Sequence, residues 1–345
     1  MFDPGTWSLP MSIGAFCVAA LVIGYIGARM AGLADRLADT TGLGEALMGA
    51  LFLGASTSLP GIITSVVTAA NGYPQLSVSN ALGGIAAQTA FLAIADIVYR
   101  KANLEHAAAS IENMMQGTLL IALLAVPLLA MSSPEIAIWG IHPVSPLMIV
   151  AYIYGLHMIR QTKDKPMWQP LQTPETMVDE PEEEQVDRNE LIGMWLRFAL
   201  FGAIVGFAGW IVGRSGEVIA NSTGLSETVV GSLFTAISTS LPELVTSIAA
   251  VRKGALTLAV SGIIGGNAFD TLFVAAADAA YREGSIYHAI TQQQIFLVTL
   301  GILMTGILIL GLLRREKSGI GNIGFESFSI LVLYGGALAL LFLSG

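Results

Sequence analysis

Two acidic residues stand deep inside apolar stretches. Glu243 lies in STSLPELVTS (238–247), and Asp270 closes GIIGGNAFD (262–270). A carboxylate in hydrocarbon is expensive and by default marks an ion or proton path. Thr239, Glu243, Thr246 and Ser247 follow helical i, i+4, i+7, i+8 spacing and share one face. Pro60 and Pro242 lack an N–H, so the carbonyls four residues earlier, on Ser56 and Ser238, lose their helical partners. Such a break is tolerated in a membrane only against protein or a wet cavity. Carboxylates, hydroxyls, amides and freed carbonyls are hard oxygen donors suited to hard cations. The candidate set is Glu243, Asp270, Ser56, Thr57, Ser238, Thr239, Asn267 and Gln88.

Depth arithmetic joins the two acids. The chain turns near Lys253-Gly254. At 1.5 Å per residue Glu243 lies roughly 15 Å from that turn and Asp270 roughly 20 Å, on adjacent helices. Both depths fall near the middle of a core about 30 Å thick. Gly262, Gly265 and Gly266 should let these helices approach closely. Asp278 with Arg282, and Asp96 with Arg100, have i, i+4 spacing and read as interfacial ion pairs. His106, His142, His157 and His288 fall near helix ends, away from the acids.

The elements that must hold these residues follow from composition. Of 345 residues 54% are hydrophobic and 12% charged, against roughly 25% charged in soluble domains; mean hydropathy is +0.70. That excludes a soluble enzyme, and a net charge of −9 argues against a nucleic-acid surface. Cys17 is the only cysteine, so no intramolecular disulfide forms. The first apolar stretch has no basic region before it, so no cleavable leader is expected. Neither H-E-x-x-H nor a serine and histidine at common depth is present, so the chain should not be an enzyme.

Ten spans are expected, near 9–31, 44–71, 77–99, 114–132, 137–160, 192–213, 226–251, 257–281, 291–313 and 324–344. Pro143 and Pro146 interrupt the fifth. With that count, 14 of the 16 basic residues fall in connections on one side and only Arg214 and Arg282 on the other. The basic side is cytoplasmic, which puts both termini outside. Residues 161–191, with DEPEEEQVD, form an acidic, solvated cytoplasmic linker.

Residues 56–100 and 238–282 align without a gap at an offset of 182, with 21 of 45 positions identical. TGL at 41–43 and 223–225 extends the match, as do Glu45, Gly49, Leu51 and Phe52 with Glu227, Gly231, Leu233 and Phe234. The offset maps span 1 onto span 6, and five spans is an odd number, so the second copy is inverted. The expected fold is all-α and integral to the membrane, with ten transmembrane helices in two inverted five-helix repeats. The units are 1–160, the linker 161–191, and 192–345. The substrate site of such a fold lies where the repeats meet.

At STSLPELVTS, GIIGGNAFD and their copies the chain resembles the calcium/cation antiporter family that includes the sodium/calcium exchangers. The resemblance implies an ion site on spans 2, 3, 7 and 8, with Glu243 as the second-repeat ion-binding Glu, Thr239 and Ser240 as its neighbours, Asp270 as the span-8 acid, and Thr57 and Ser58 as their first-repeat equivalents. This chain is a variant lacking the first-repeat Glu, since SLPG places Gly61 there. Gln88 replaces the usual Asn, and Gly84 and Gly266 replace serines.

With two carboxylates the site neutralises two charges, which favours one divalent cation against two monovalent cations or protons, or exchange of monovalent cations. The expected function is secondary-active antiport, calcium or another divalent exchanged against sodium or protons by alternating access. Spans 1 and 6, with Gly24, Gly27, Gly206 and Gly209, would slide across the core. The alternatives are a monovalent cation/proton exchanger and a transport-inactive cation sensor. Apart from a bound transported calcium or sodium ion, no cofactor is expected. The expected partners are inorganic cations and the lipid of the inner (plasma) membrane, with the monomer as the working unit.

Overall fold

Unbroken apolar stretches leave a backbone only one way to satisfy its hydrogen bonds in lipid, which is to coil on itself. A computed structural model describes residues 6–40, 54–99, 102–164, 166–171, 187–317, 319 and 323–344, and they are almost wholly helical. Among the described residues ten helices of more than ten residues follow in order: α1 (Leu9–Thr40), α2 (Leu59–Ala70), α3 (Pro74–Val98), α4 (Ile111–Ser132), α5 (Val144–Asp164), α6 (Arg188–Thr223), α7 (Glu227–Thr239 continued by Leu241–Lys253), α8 (Leu256–Ala280), α9 (Gln292–Arg314) and α10 (Phe325–Ser344). Among the described residues seven helices are each long and apolar enough to cross a membrane, and the two parts of α7 together make an eighth. The other two are α2, whose described part is short, and α5, which ends in polar residues. TGL at 41–43, Glu45, Gly49, Leu51, Phe52, Arg100 and most of the acidic linker lie outside the described residues.

Proline sets the breaks. Pro60 and Pro242 stand in the first turns of α2 and of the second part of α7, where a missing N–H is harmless. The two parts of α7 meet at Ser240 at an angle of 45°. The first part also carries a π-helical turn over Val230–Thr235, a local widening common near functional sites. Gly254, at φ 89°, ends α7 in the left-handed conformation and starts the turn into α8.

The two longest helices lie at the periphery and cross over. α1 and α6 pack on each other, α1 also covers α7, and α6 covers α2. The crossings are made at the prolines. A Cβ on Gly27 would stand 2.5 Å from Pro242 Cγ, and one on Gly209 would stand 2.6 Å from the Pro60 carbonyl oxygen. Gly27 and Gly209 are themselves related by the repeat offset of 182, so the cross-packing is repeated in both halves. Buried α3 and α8 form the centre with α4 and α9 around them.

Four expectations need correction. α1 and α6 run well past their expected limits, so Arg36, Arg188 and Arg214 sit on helices rather than in connections. At roughly 54 Å, the 36 residues of α6 exceed the hydrocarbon thickness. Pro143 and Pro146 do not interrupt span 5; they introduce α5, where proline fits the first turn. Gly262 makes no close approach, since a Cβ there would meet nothing within 4 Å. Asp278 is not paired with Arg282; it accepts two backbone N–H groups and the Ser145 hydroxyl.

Candidate ion-binding site

The breaks at Ser58 and Ser240 face the middles of α8 and α3. Ser58 donates its hydroxyl to Asp270 Oδ1 at 2.5 Å. Gln88 Nε2 donates to Asp270 Oδ2 at 2.6 Å and to Ser240 Oγ at 3.2 Å. All four residues are buried. The offset of 182 maps Ser58 onto Ser240 and Gln88 onto Asp270. The cluster is therefore two symmetry-related pairs, and position 88/270 touches its own copy. An amide on one side and a carboxylate on the other make that contact attractive, where two carboxylates would repel.

Glu243 is buried in the first turn of the second part of α7. The exposed N–H groups of a helix start favour a negative charge at that position. Asp270 lies close enough for the two charges to interact, and the Thr57 side chain lies beside the Glu243 carboxyl. Neither Glu243 oxygen has a hydrogen-bond partner of good geometry. The ion pairs among the described residues, Arg36–Glu190, Arg214–Glu217 and Arg314–Glu316, lie elsewhere. Two neighbouring buried acids thus have no basic partner there, a costly arrangement for charged groups. Among the described residues no three acidic, histidine or cysteine side chains converge. An ion here would rest on two carboxylates completed by neutral oxygens.

The other candidates divide. Gln88 Oε1 is buried without a partner, and a Cβ on Gly266 would stand 3.6 Å from it. The smallness of Gly266 keeps that oxygen uncrowded. Asn267 turns its amide to Thr89 on α3 at 2.9 Å, leaving Oδ1 unpartnered. Ser56, Thr57 and Ser238 are buried. Thr57 donates to the Gly54 carbonyl at 3.1 Å. Thr239 bonds back to the Thr235 and Ala236 carbonyls, and Thr246 and Ser247 bond back to carbonyls at 242 and 243. These three hydroxyls therefore direct their protons to carbonyls of their own helix, leaving only oxygen lone pairs for a ligand. The four histidines lie outside this cluster, in contacts such as His106 Nδ1 with the Arg315 carbonyl and His288 Nε2 with the Ser133 carbonyl.

Two residues escape the sequence reading. Asn80 donates to the Gly61 carbonyl at 3.1 Å and to Ser65 Oγ at 2.9 Å, and accepts the Thr235 hydroxyl at 2.8 Å. It ties the break in α2 to the π turn of α7. Its copy is Gly262, so a search for polar positions kept in both repeats passes over it. Gln116 on α4 is buried with Oε1 unpartnered, and a Cβ on Gly265 would stand 3.6 Å from that oxygen. A lone amide inside an apolar run was the available signal.

Comparison with known proteins agrees with this fold. The family model described as sodium/calcium exchanger protein matches residues 11–158 and 193–343. The inner membrane protein YrbG of Escherichia coli (strain K12) is 28% identical over 289 residues, covering 78% of this chain and 79% of YrbG. Among solved structures, native YfkE superposes with a TM-score of 0.65 at 15% identity, covering 97% of each chain. The sodium-calcium exchanger NCX_Mj, soaked with 10 mM sodium and no calcium, superposes with a TM-score of 0.61 at 17% identity, covering 96% of this chain and 99% of that one. At such identities the structures speak for the fold, and the ten-helix, two-repeat arrangement agrees with it. The chain is an integral membrane protein and belongs to the sodium/calcium exchanger protein family.

Proposed function

We propose that this chain is a secondary-active antiporter, not an enzyme, that exchanges calcium or another divalent cation for sodium or protons. Glu243 and Asp270 supply the charge. Ser58, Ser240, Thr57, Gln88 and Asn267 supply neutral oxygens, with Ser56, Ser238 and Thr239 as backbone or hydroxyl donors at the breaks. The observation that carries this reading is the pair of neighbouring buried carboxylates without a basic partner among the described residues. A visiting cation or proton is what makes such a pair bearable. Competing ions share the same two acids, and each biases the inward- and outward-open states only through its differential affinity for them.

In this reading the core is α2–α5 with α7–α10, and α1 and α6 move across it at the glycine–proline crossings. The repeats are 1–160 and 192–345, joined by the linker 161–191 on the cytoplasmic side, with both termini outside the inner membrane and the monomer as the working unit. The test is ion flux into proteoliposomes with sodium, potassium, calcium and pH gradients imposed one at a time. Calcium uptake driven by a sodium or proton gradient is the expected result, and Glu243→Gln should abolish it in a folded protein. Full transport by that variant refutes the assignment of the site. The ring of Phe273 beside Gly61, where a further carboxylate would stand, favours a second reading, exchange of a monovalent cation for protons. The same panel separates the two.

A further inference from the structure

The fold builds one polar hub twice, once at each end of the bundle, and the two copies differ in charge. In the first, at the end of α8, Asp278 Oδ1 accepts the Ile286 N–H at 3.0 Å, and Oδ2 accepts the His142 N–H and the Ser145 hydroxyl, both at 2.7 Å. Ser145 also meets the Tyr287 hydroxyl at 2.9 Å. In the second, at the end of α3, Asp96 accepts the Leu104 N–H at 2.7 Å and the Gly324 N–H at 3.1 Å, while Ser327 donates to Glu105 Oε1 at 3.0 Å. The offset of 182 maps these residues one onto another: 96 onto 278, 104 onto 286, 142 onto 324, 145 onto 327.

The two hubs differ in charge at two positions. Where the Asp278 hub has Tyr287 and Val144, the Asp96 hub has Glu105 and Glu326. The Asp278 hub holds the same turn together with one fully hydrogen-bonded carboxylate, so the architecture does not require the two extra acids. Asp96, Glu105 and Glu326 are 0%, 2% and 3% exposed, and none of the ion pairs among the described residues involves them. Glu105 Oε2 is buried without a partner, and so is Oδ1 of Asn103, itself 1% exposed. A Cβ on Gly324 would stand 2.6 Å from Glu326 Oε2, 3.2 Å from Glu105 Oε2 and 3.5 Å from the Asn103 amide nitrogen. A side chain at 324 would collide with Glu326, so the glycine is what lets the Glu105 and Glu326 carboxyls meet here.

We propose that the Asp96–Glu105–Glu326 hub is a second cation site, separate from the Glu243–Asp270 centre, that takes a hard divalent cation of the calcium type. Its donors are the oxygens of three carboxylates, the kind such an ion prefers. As they stand the carboxyls do not converge on one point, as mutually repelling groups would not. An ion held between Glu105 Oε2 and Glu326 Oε2, beside Gly324, draws the two carboxyls together. It then ties the α3–α4 connection to the α9–α10 connection, which Asn103 already joins through the Glu316 and Lys317 carbonyls.

The site is independent of the transport reading, and the experiment keeps the two apart. Calcium binding is measured by titration calorimetry on the purified full chain carrying Glu243→Gln and Asp270→Asn, which silence the centre. About one calcium per chain should still bind. Adding Glu105→Tyr and Glu326→Val, the residues of the other hub, should weaken it at least tenfold, about 1.4 kcal/mol. Should that variant fail to fold, Glu105→Gln alone is titrated instead, with the same weakening expected. No calcium binding in the centre-silenced chain, or unchanged affinity after the hub substitutions, overturns the proposal.

Discussion

The ring of Phe273 on α8 fills the space beside Gly61 on α2, so closely that a Cβ on the glycine would stand 2.7 Å from Cε2. The ring is buried and rests edge-on against Phe269, with centroids 6.2 Å apart. On its other side Gly61 offers its carbonyl to Asn80. Neither neighbour yields easily, so the missing carboxylate and the aromatic ring belong to one packing solution. Gly61→Ala should destabilise the protein by about 1–3 kcal/mol through overpacking, read as a lower Tm in detergent. Gly61→Glu should fold only together with Phe273→Ala. A Gly61→Glu protein as stable as the parent means that the ring is no obstacle.

Ser58 and Ser240 are symmetry mates with unequal partners. Ser58 donates to the Asp270 carboxylate, whereas Ser240 accepts from the Gln88 amide. A hydrogen bond to a charged group contributes about 1.5–3 kcal/mol and a neutral one about 0.5–1.5. Ser58→Ala should therefore lower Tm more than Ser240→Ala, and should change cation affinity more. Equal losses would place the charge of this cluster somewhere other than Asp270.

How far the sequence carried this picture depends on what kind of signal each residue leaves. Asp270, Ser58, Ser240 and Gln88 were legible because the repeat marks them twice and an acid in an apolar run is conspicuous. Their meeting across the halves followed from the inverted repeat, whose copies meet at the substrate site. Asn80 was hidden because its copy is a glycine. The lengths of α1 and α6 were hidden because a hydropathy reading sees where lipid contact stops, not where the helix stops. The Asp278–Arg282 pair failed because i, i+4 spacing says only that two side chains could meet, while backbone N–H groups at a helix end compete for the same carboxylate. Glu105 and Glu326 stood outside the aligned repeat, the first in a connection and the second at the start of the tenth expected span.

The glycine–proline crossings bear on movement. At Gly209 an added methyl would press on the Pro60 carbonyl oxygen and Cα, 2.6 and 2.9 Å away, both backbone; at Gly27 it would press on the Pro242 ring. Side-chain atoms shift more readily than backbone. Gly209→Ala should therefore slow exchange more than Gly27→Ala. The larger effect should be about tenfold or more, since overpacking of 1–3 kcal/mol confined to one of two states changes a rate on that scale. Cation binding at equilibrium should change far less than flux. Fluxes that fall equally, or not at all, would mean that α1 and α6 do not slide at these points.

The Asp96 hub also makes stability depend on pH. Glu105, in the connection between α3 and α4, is raised from 4.5 to about 8, first by burial and then by the charges of Asp96 and Glu326. Between those two values the folded chain keeps a proton that the unfolded chain has released. Stability therefore falls as pH rises through that window and levels off above about 8. In divalent-free buffer Tm should decline over this range, and Glu105→Tyr should flatten the decline, because a tyrosine stays neutral throughout. Calcium displaces the proton, so it should restore Tm most at the alkaline end, where Glu105 is already ionised. A parent chain whose Tm has the same pH profile as Glu105→Tyr would show that Glu105 titrates normally and that burial at the hub exerts no hold on its proton.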